Sequence, residues 1–261
     1  MSAESSLVVT VDGAVATLRL NRPTAGNSLD VPLARSLMEA AIRCDEDPDI
    51  RCVVLTGTGR FFCAGGDVGA FAAAGDAAPA LIKQITGYLH LAIARLARMP
   101  KPLVTAINGP AAGAGFSLAI LGDIAIAARS AHFTLAYTAI GLSPDGGSTW
   151  LLPRLVGLRR AQELALLNRR VAGDEAVALG LITRVVDDSD LETAIQAMAS
   201  DLSRGATGAL GQTRRLLLNS FNASFETQME DESRGISDAM RTAHAREGAQ
   251  SFVEKRKPIF A

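Results

Sequence analysis

Apolar and polar positions along the chain set out an ordered series of strands and helices. Val8, Val9 and Val11, then Val15, Thr17, Leu18 and Leu20, flank Asp12-Gly13. An Asp-Gly pair between β-rich runs predicts a hairpin. Leu33, Leu37, Ala40 and Ala41 recur at helical spacing from Pro32, with Ser28 as the expected cap. Residues 51–56 (R-C-V-V-L-T) form a short apolar run of the buried-strand type. The Gly- and Ala-rich residues 58–79 predict a long loop or short helical turns. Leu81, Ile85, Leu89, Ala92, Ile93 and Leu96 predict a helix that Pro100 and Pro102 end. Residues 103–107 and 123–128 read as strands, and 109–115 as a tight turn opening a buried helix. Residues 141–148 form a loop before a helix that carries Trp150, Leu151 and Leu152.

The alternation of strand and helix predicts an α/β core to about Val186. After Asp187 the pattern is helical, with faces such as Leu210, Thr213 and Leu217, then Phe225, Met229, Ile236 and Met240. No Gly/Ser- or Pro-rich linker separates the two parts. The expected organisation is a core over 1–187 and a helical region over 188–261, packed on that core or on a partner subunit.

Composition narrows the function. In 261 residues, 26 Lys and Arg face 27 Asp and Glu, and aromatics are 5%. A nucleic-acid protein needs a basic excess and stacking platforms, so that class is disfavoured. No apolar run approaches the roughly 18 residues of a membrane span. Residues 1–6 lack the basic and apolar regions of a signal peptide. Cys44, Cys52 and Cys63 lack metal-ligand spacing. A thiol-reduced, cytoplasmic protein is the expectation.

Two glycine-rich segments are candidates for chemistry: F-F-C-A-G-G-D-V at 61–68 and N-G-P-A-A-G-A-G-F at 108–116. Small residues allow close backbone approach, and a helix start presents free N–H groups. Two such N–H groups aimed at one point make an oxyanion hole. Each segment alone also fits an ordinary turn or close helix packing. Neither matches a phosphate-cradling motif. Asp145 lies in S-P-D-G-G, which on residue chemistry alone is turn chemistry. No G-x-S-x-G, H-E-x-x-H or C-x-x-C is present. His90 sits in an apolar helix, where a histidine is commonly structural; His132 and His244 also look structural.

The ordered combination is more specific than its parts. F-C-A-G-G-D-V at 62–68, K-P-L-V-T-A-I-N-G-P-A-A-G-A-G at 101–115, G-D-I-A-I-A-A at 122–128 and G-L-S-P-D-G-G-S-T-W-L-L-P-R at 141–154 resemble the crotonase family of enoyl-CoA hydratases and isomerases. So do N-R-P at 21–23, N-S-L at 27–29 and S-F-V-E-K-R at 251–256. The resemblance implies a spiral of ββα units followed by a helical trimerisation region, as a homotrimer or dimer of trimers. It implies an acyl-CoA thioester as substrate, with no metal and no separate cofactor.

By the same resemblance, the N–H groups of Gly66 and Ala114 form the oxyanion hole, and Ala64, Gly65, Asp67 and Val68 build the loop around the first. Asp67 reads as fixing loop geometry, and Cys63 as packing. Classical hydratases of this family place two glutamates where this chain has Ser117 and Tyr137. Hydration needs two groups to hold water and move its protons, so a classical hydratase is disfavoured. Asp145 matches the acid of dienoyl-CoA and ring-epoxide isomerases and the nucleophile of aryl-CoA dehalogenases. His90 matches the water-activating histidine of the latter, whereas Tyr137 stands where they carry Trp. Arg22 resembles a contact to the nucleotide end of CoA, and Phe252 and Lys255 resemble tail residues reaching CoA from a neighbouring subunit. The expected activity is double-bond movement through an enolate. The alternatives are aryl-CoA dehalogenation, weak hydration and acyl-CoA binding without catalysis.

Overall fold

The computed structural model describes residues 5–260. Met1–Glu4, part of the segment read above for a leader, lie outside the described residues. The chain opens on the expected hairpin, β1 (Leu7–Asp12) and β2 (Val15–Leu20), paired antiparallel from Leu7 opposite Leu20 to Asp12 opposite Val15. Helix α1 (Val31–Glu46) follows. Its cap is Asp30, whose Oδ1 accepts from the Leu33 N–H at 2.8 Å. The cap is therefore not the expected Ser28. Asp30 takes it because it stands immediately before the first helical residue, within reach of the N3 amide.

Then come β3 (Cys52–Gly57), α2 (Val68–Ala74), α3 (Ala78–Arg98), β4 (Leu103–Ile107), β5 (Ala111–Ala112) and α4 (Ala114–Ala119). The segment 58–79, expected as a long loop or short helical turns, contains a seven-residue helix and the first two residues of α3. Alanine-rich residues there support helix once Asp67 caps α2 by accepting from the Ala70 N–H at 3.1 Å. The remaining elements are β6 (Ile124–Ala128), β7 (His132–Thr134), α5 (Ser148–Val156), α6 (Leu158–Leu167), β8 (Val171–Ala172), α7 (Gly173–Ala178) and β9 (Arg184–Val186). The chain ends in α8 (Leu191–Ser203), α9 (Thr207–Asn219), α10 (Phe225–Ala239) and α11 (Ala243–Val253).

The main sheet has six strands in the order β1-β2-β3-β4-β6-β9, parallel from β2 onward. A second sheet of β5-β7-β8 stands beside it. The central strands of the main sheet are apolar on both faces, as a covered parallel sheet requires. Val53, Leu55, Leu103, Ile107, Ala125 and Ala127 pack into one core with α1 and α3. Their neighbours Cys52, Val54, Val104, Ala106, Ile126 and Ala128 face the other way, onto Leu191, Ile195 and Ala199 of α8. Arg214 ties α9 to this body. Its guanidinium pairs with Asp123 at 2.6 Å and donates to the carbonyls of Leu96, Met99 and Lys101. Among the described residues, no helix is long and apolar enough to cross a membrane.

All three cysteines are buried and unpaired. Burial pushes the Cys52 and Cys63 thiols up to about 12. Because the thiolate is the reactive form, native protein should react very slowly with a disulfide reagent. The expected result is three equivalents per chain only after denaturation, read as thionitrobenzoate release. Rapid release from native protein would contradict this packing.

Candidate active site

Two loops that are far apart in sequence meet back to back. Cys63 and Ala111 form an isolated parallel bridge. The Ala112 N–H donates to Cys63 O at 3.0 Å, and the Cys63 N–H to Pro110 O at 3.3 Å. Glycines make this contact possible: a Cβ on Gly115 would lie 2.1 Å from Cys63 O, and one on Gly65 would lie 2.9 Å from Ala112 O. The junction brings Gly66 and Ala114 to the same cavity wall. On either side of Gly66, Gly65 O accepts from Leu29 N–H at 2.7 Å and Asp67 N–H donates to Leu29 O at 3.1 Å. The Gly66 N–H itself has no acceptor among the described residues. Ala114 is the first residue of α4, so its N–H has no partner within the helix. Two donors without an acceptor among the described residues thus border one cavity.

That cavity has a volume of about 360 Å³. Apolar side chains make most of its wall, chiefly Leu29, Val68, Phe71, Ile82, Ile85, Leu89, Ile140 and Leu142. Ala64, Gly65, Gly66, Gly113 and Ala114 form the backbone side. Thr86, Tyr137, Ser143 and Asp145 supply the polar side chains, and Asp145 is the one acidic residue among the described residues that line it.

Asp145 is held from several directions. The Tyr137 hydroxyl donates to Oδ1 at 2.5 Å, and His90 Nε2 lies 3.2 Å from Oδ2. Burial, then the neighbouring Asp145 charge, push the Tyr137 phenol well above its ordinary value. It therefore remains a donor to the carboxylate. His90 is about half exposed and stands outside the cavity wall. The Gly146 N–H also points at His90 Nε2, at 3.3 Å. One nitrogen cannot donate to the carboxylate and accept from this amide at once, so the tautomer of the His90 ring selects between the two contacts. Ser117 does not line the cavity. Its Oγ donates to the Asp145 backbone carbonyl at 2.9 Å and lies 3.5 Å from the Tyr137 hydroxyl.

The other residues singled out in the sequence lie further away. Arg22 points its guanidinium at Asp67 (3.1 Å), Asp30 (3.2 Å) and the Ser28 carbonyl (2.5 Å), bracing the 64–67 loop from behind. Asp67 joins this ion pair while capping α2. Phe252 and Lys255, at and just beyond the end of α11, do not line the cavity of their own chain, and Phe252 is 85% exposed.

Several residues of the site carry no functional signal in the sequence. Ile85 and Leu89 read only as core, because one helical face supplies both core and cavity wall. Ala136 has φ of +60°, a costly conformation for a residue with a Cβ, directly before Tyr137. No sequence signal marks it. Nor does one mark Ser148, whose Oγ donates to the Asp145 carbonyl at 3.0 Å.

Comparisons with known proteins identify the family of the chain. The Enoyl-CoA hydratase/isomerase family model matches residues 10–261. A 1,2-epoxyphenylacetyl-CoA isomerase of Escherichia coli (strain K12) is 41% identical, over 96% of each chain. A 4-chlorobenzoyl coenzyme A dehalogenase of Arthrobacter sp is 32% identical, over 98% of this chain and 94% of that one. The crystal structure of an enoyl-CoA hydratase from Polaromonas sp. JS666 superimposes with a TM-score of 0.93 at 32% identity, over 98% of this chain and 99% of that one. Sequence, fold and paired glycine loops together place the chain in the enoyl-CoA hydratase/isomerase family, with the crotonase fold.

Proposed function

We propose that this enzyme is an acyl-CoA isomerase that moves a double bond through an enolate. The observation that carries the reading is the lone carboxylate of the cavity among the described residues, Asp145, with the Tyr137 hydroxyl on its Oδ1. The thioester carbonyl oxygen takes the Gly66 and Ala114 N–H groups. Asp145 removes a proton from C2, and the C–H electron pair moves through the carbonyl carbon onto that oxygen. The two donors stabilise the charge as it forms, beside an apolar wall where such donors count most. The carboxylic acid then returns the proton at C4, and the double bond lies between C2 and C3. One base suffices, and no metal or redox group takes part.

Hydration would need a second group to hold and activate water. Here the Ser117 and Tyr137 hydroxyls are both turned toward Asp145. The apolar wall suits an unsubstituted chain or a ring. In this reading Arg22 braces the oxyanion loop, and Phe252 and Lys255 serve the CoA of a neighbouring subunit. Phe225, Ile236 and Met240 on and after α10, more than half exposed in a single chain, would then face partners in a homotrimer or dimer of trimers.

The test is mass-spectrometric product analysis in D₂O with 3-enoyl-, 2-enoyl-, 1,2-epoxyphenylacetyl- and 4-halobenzoyl-CoA. Movement of the double bond of a 3-enoyl thioester without added water is the expected result; rearrangement of the epoxide thioester alone would replace the reading with ring-epoxide isomerisation. A gain of water on 2-enoyl-CoA would replace the reading with hydration. A second reading, aryl-CoA dehalogenation, is favoured by the 3.2 Å approach of His90 to Asp145. There the carboxylate displaces halide from the ring, and water activated by His90 cleaves the resulting ester. Halide release would establish it.

A further inference from the structure

The turn that carries Asp145 does not hold its own shape. Gly146 and Gly147 follow it with φ of +64° and +78°. Glycine reaches these values without steric cost, yet it is also free to leave them. Three donors nevertheless converge on the Asp145 backbone carbonyl. Ser117 Oγ donates at 2.9 Å, Ser148 Oγ at 3.0 Å and the Ser148 N–H at 3.4 Å. Ser117 comes from α4 and is 2% exposed; Ser148 opens α5 and is 1% exposed. Neither lines the cavity. Ser117 also limits the turn sterically, since a Cβ on Gly146 would lie 2.9 Å from its own Cβ.

We propose that Ser117 and Ser148 are positioning residues that clamp the Asp145 peptide and so set where its carboxylate meets the substrate. The inference rests on Asp145 acting as the base. The carboxylate's own contacts, to Tyr137 and the half-exposed His90, orient the side chain only once the backbone is in place. The clamp comes from two helices, and α4 also begins with the Ala114 donor. Ser117 therefore links the position of the base to the position of the oxyanion hole through one short helix. A misplacement of about 1 Å can cost roughly a hundredfold in rate.

The test uses Ser117→Ala, Ser148→Ala, the double variant, Ser148→Thr and Asp145→Asn in the full chain, on the substrate found by the product assay. Each alanine variant should lower kcat about tenfold and the pair about a hundredfold, with KM within about twofold. Ser148→Thr, which keeps the hydroxyl, should restore most of kcat. A purely structural role would predict loss of thermal stability without this split between kcat and KM. Wild-type kcat in the folded double variant would overturn the clamp, as would Ser148→Thr failing as badly as Ser148→Ala. If the double variant does not fold, the two single variants carry the test. Full activity in Asp145→Asn would overturn the proposed function and this inference together. An inactive Asp145→Asn beside a fully active double serine variant would overturn the clamp alone.

Discussion

Asp145→Asn should lower kcat about 10²- to 10⁴-fold, the range a positioned acid–base group contributes. The change is close to isosteric. The carbonyl oxygen of the introduced amide could still accept from the Tyr137 hydroxyl, now 2.5 Å from Asp145 Oδ1, and the backbone contacts of the turn do not use the side chain. The variant should therefore fold and bind the thioester with KM within a few-fold of wild type. What it loses is a group able to take a proton from carbon and give it back. Deuterium exchange at C2 in D₂O should disappear together with turnover, because both need the same proton abstraction. Turnover and exchange at wild-type rates in a folded variant would remove Asp145 from the chemistry. If exchange persists while isomerisation stops, another base makes the enolate and Asp145 only delivers the second proton.

Ala114→Pro should lower kcat about 10²- to 10³-fold, the loss expected for one oxyanion donor, or roughly 2.7–4 kcal/mol of barrier. Proline at this position removes the N–H with little damage to the helix. Ala114 is the first residue of α4, where a missing N–H breaks no intrahelical bond and the fixed φ of proline suits the helix. The preceding residue is Gly113, which has no Cβ to clash with the ring. Ala114→Gly is the control, because it keeps the N–H and should retain activity within a few-fold. Steady-state kinetics of both variants, with circular dichroism as the check on folding, decide the matter. Equal activity in Ala114→Pro and wild type would show that this amide does not hold the thioester oxygen. Equal loss in Ala114→Gly would point to the methyl group rather than the donor.

Ala114 stands in a glycine-rich segment that the sequence marks as a candidate, whereas the neighbourhood of Asp145 is undistinguished. Asp145 stands in a Pro-Asp-Gly-Gly run that turn chemistry explains without any function, and only the family resemblance singles it out. Its partners Tyr137 and Ser117 stand out in the sequence only as places where glutamates are missing. That both hydroxyls turn to Asp145 is not legible in the chain, because the contacts join residues from three different segments. Ser148 is silent for the same reason. A serine after two glycines is ordinary loop composition until its hydroxyl is seen on the Asp145 carbonyl. His90 is legible as an apolar-helix histidine, and the structure adds that it approaches the carboxylate from outside the cavity.

The order of strands and helices, by contrast, is carried by neighbouring residues. The β-rich runs on either side of Asp12-Gly13, the continuous apolar run of β3, and the 3.6-residue spacing in α1 and α3 each arise within a few residues of backbone. Proline after α3 and glycine before α4 mark boundaries through their own dihedral limits. Such signals are local, and so the sequence by itself determined the α/β class, the order of the hairpin, α1, β3, α3, β4 and β6, and the resemblance to the family. Where local signals competed, as between Ser28 and Asp30 for the cap of α1, the structure was needed to choose. The cavity, the two amides that border it and the surroundings of Asp145 were decided only by tertiary structure. They depend on the backbone contact of the 63–66 loop with the 111–115 loop, and on α4 and α5 closing around one carbonyl. Distances between segments far apart in the chain depend on how every intervening element packs, and no pattern of neighbouring residues records them.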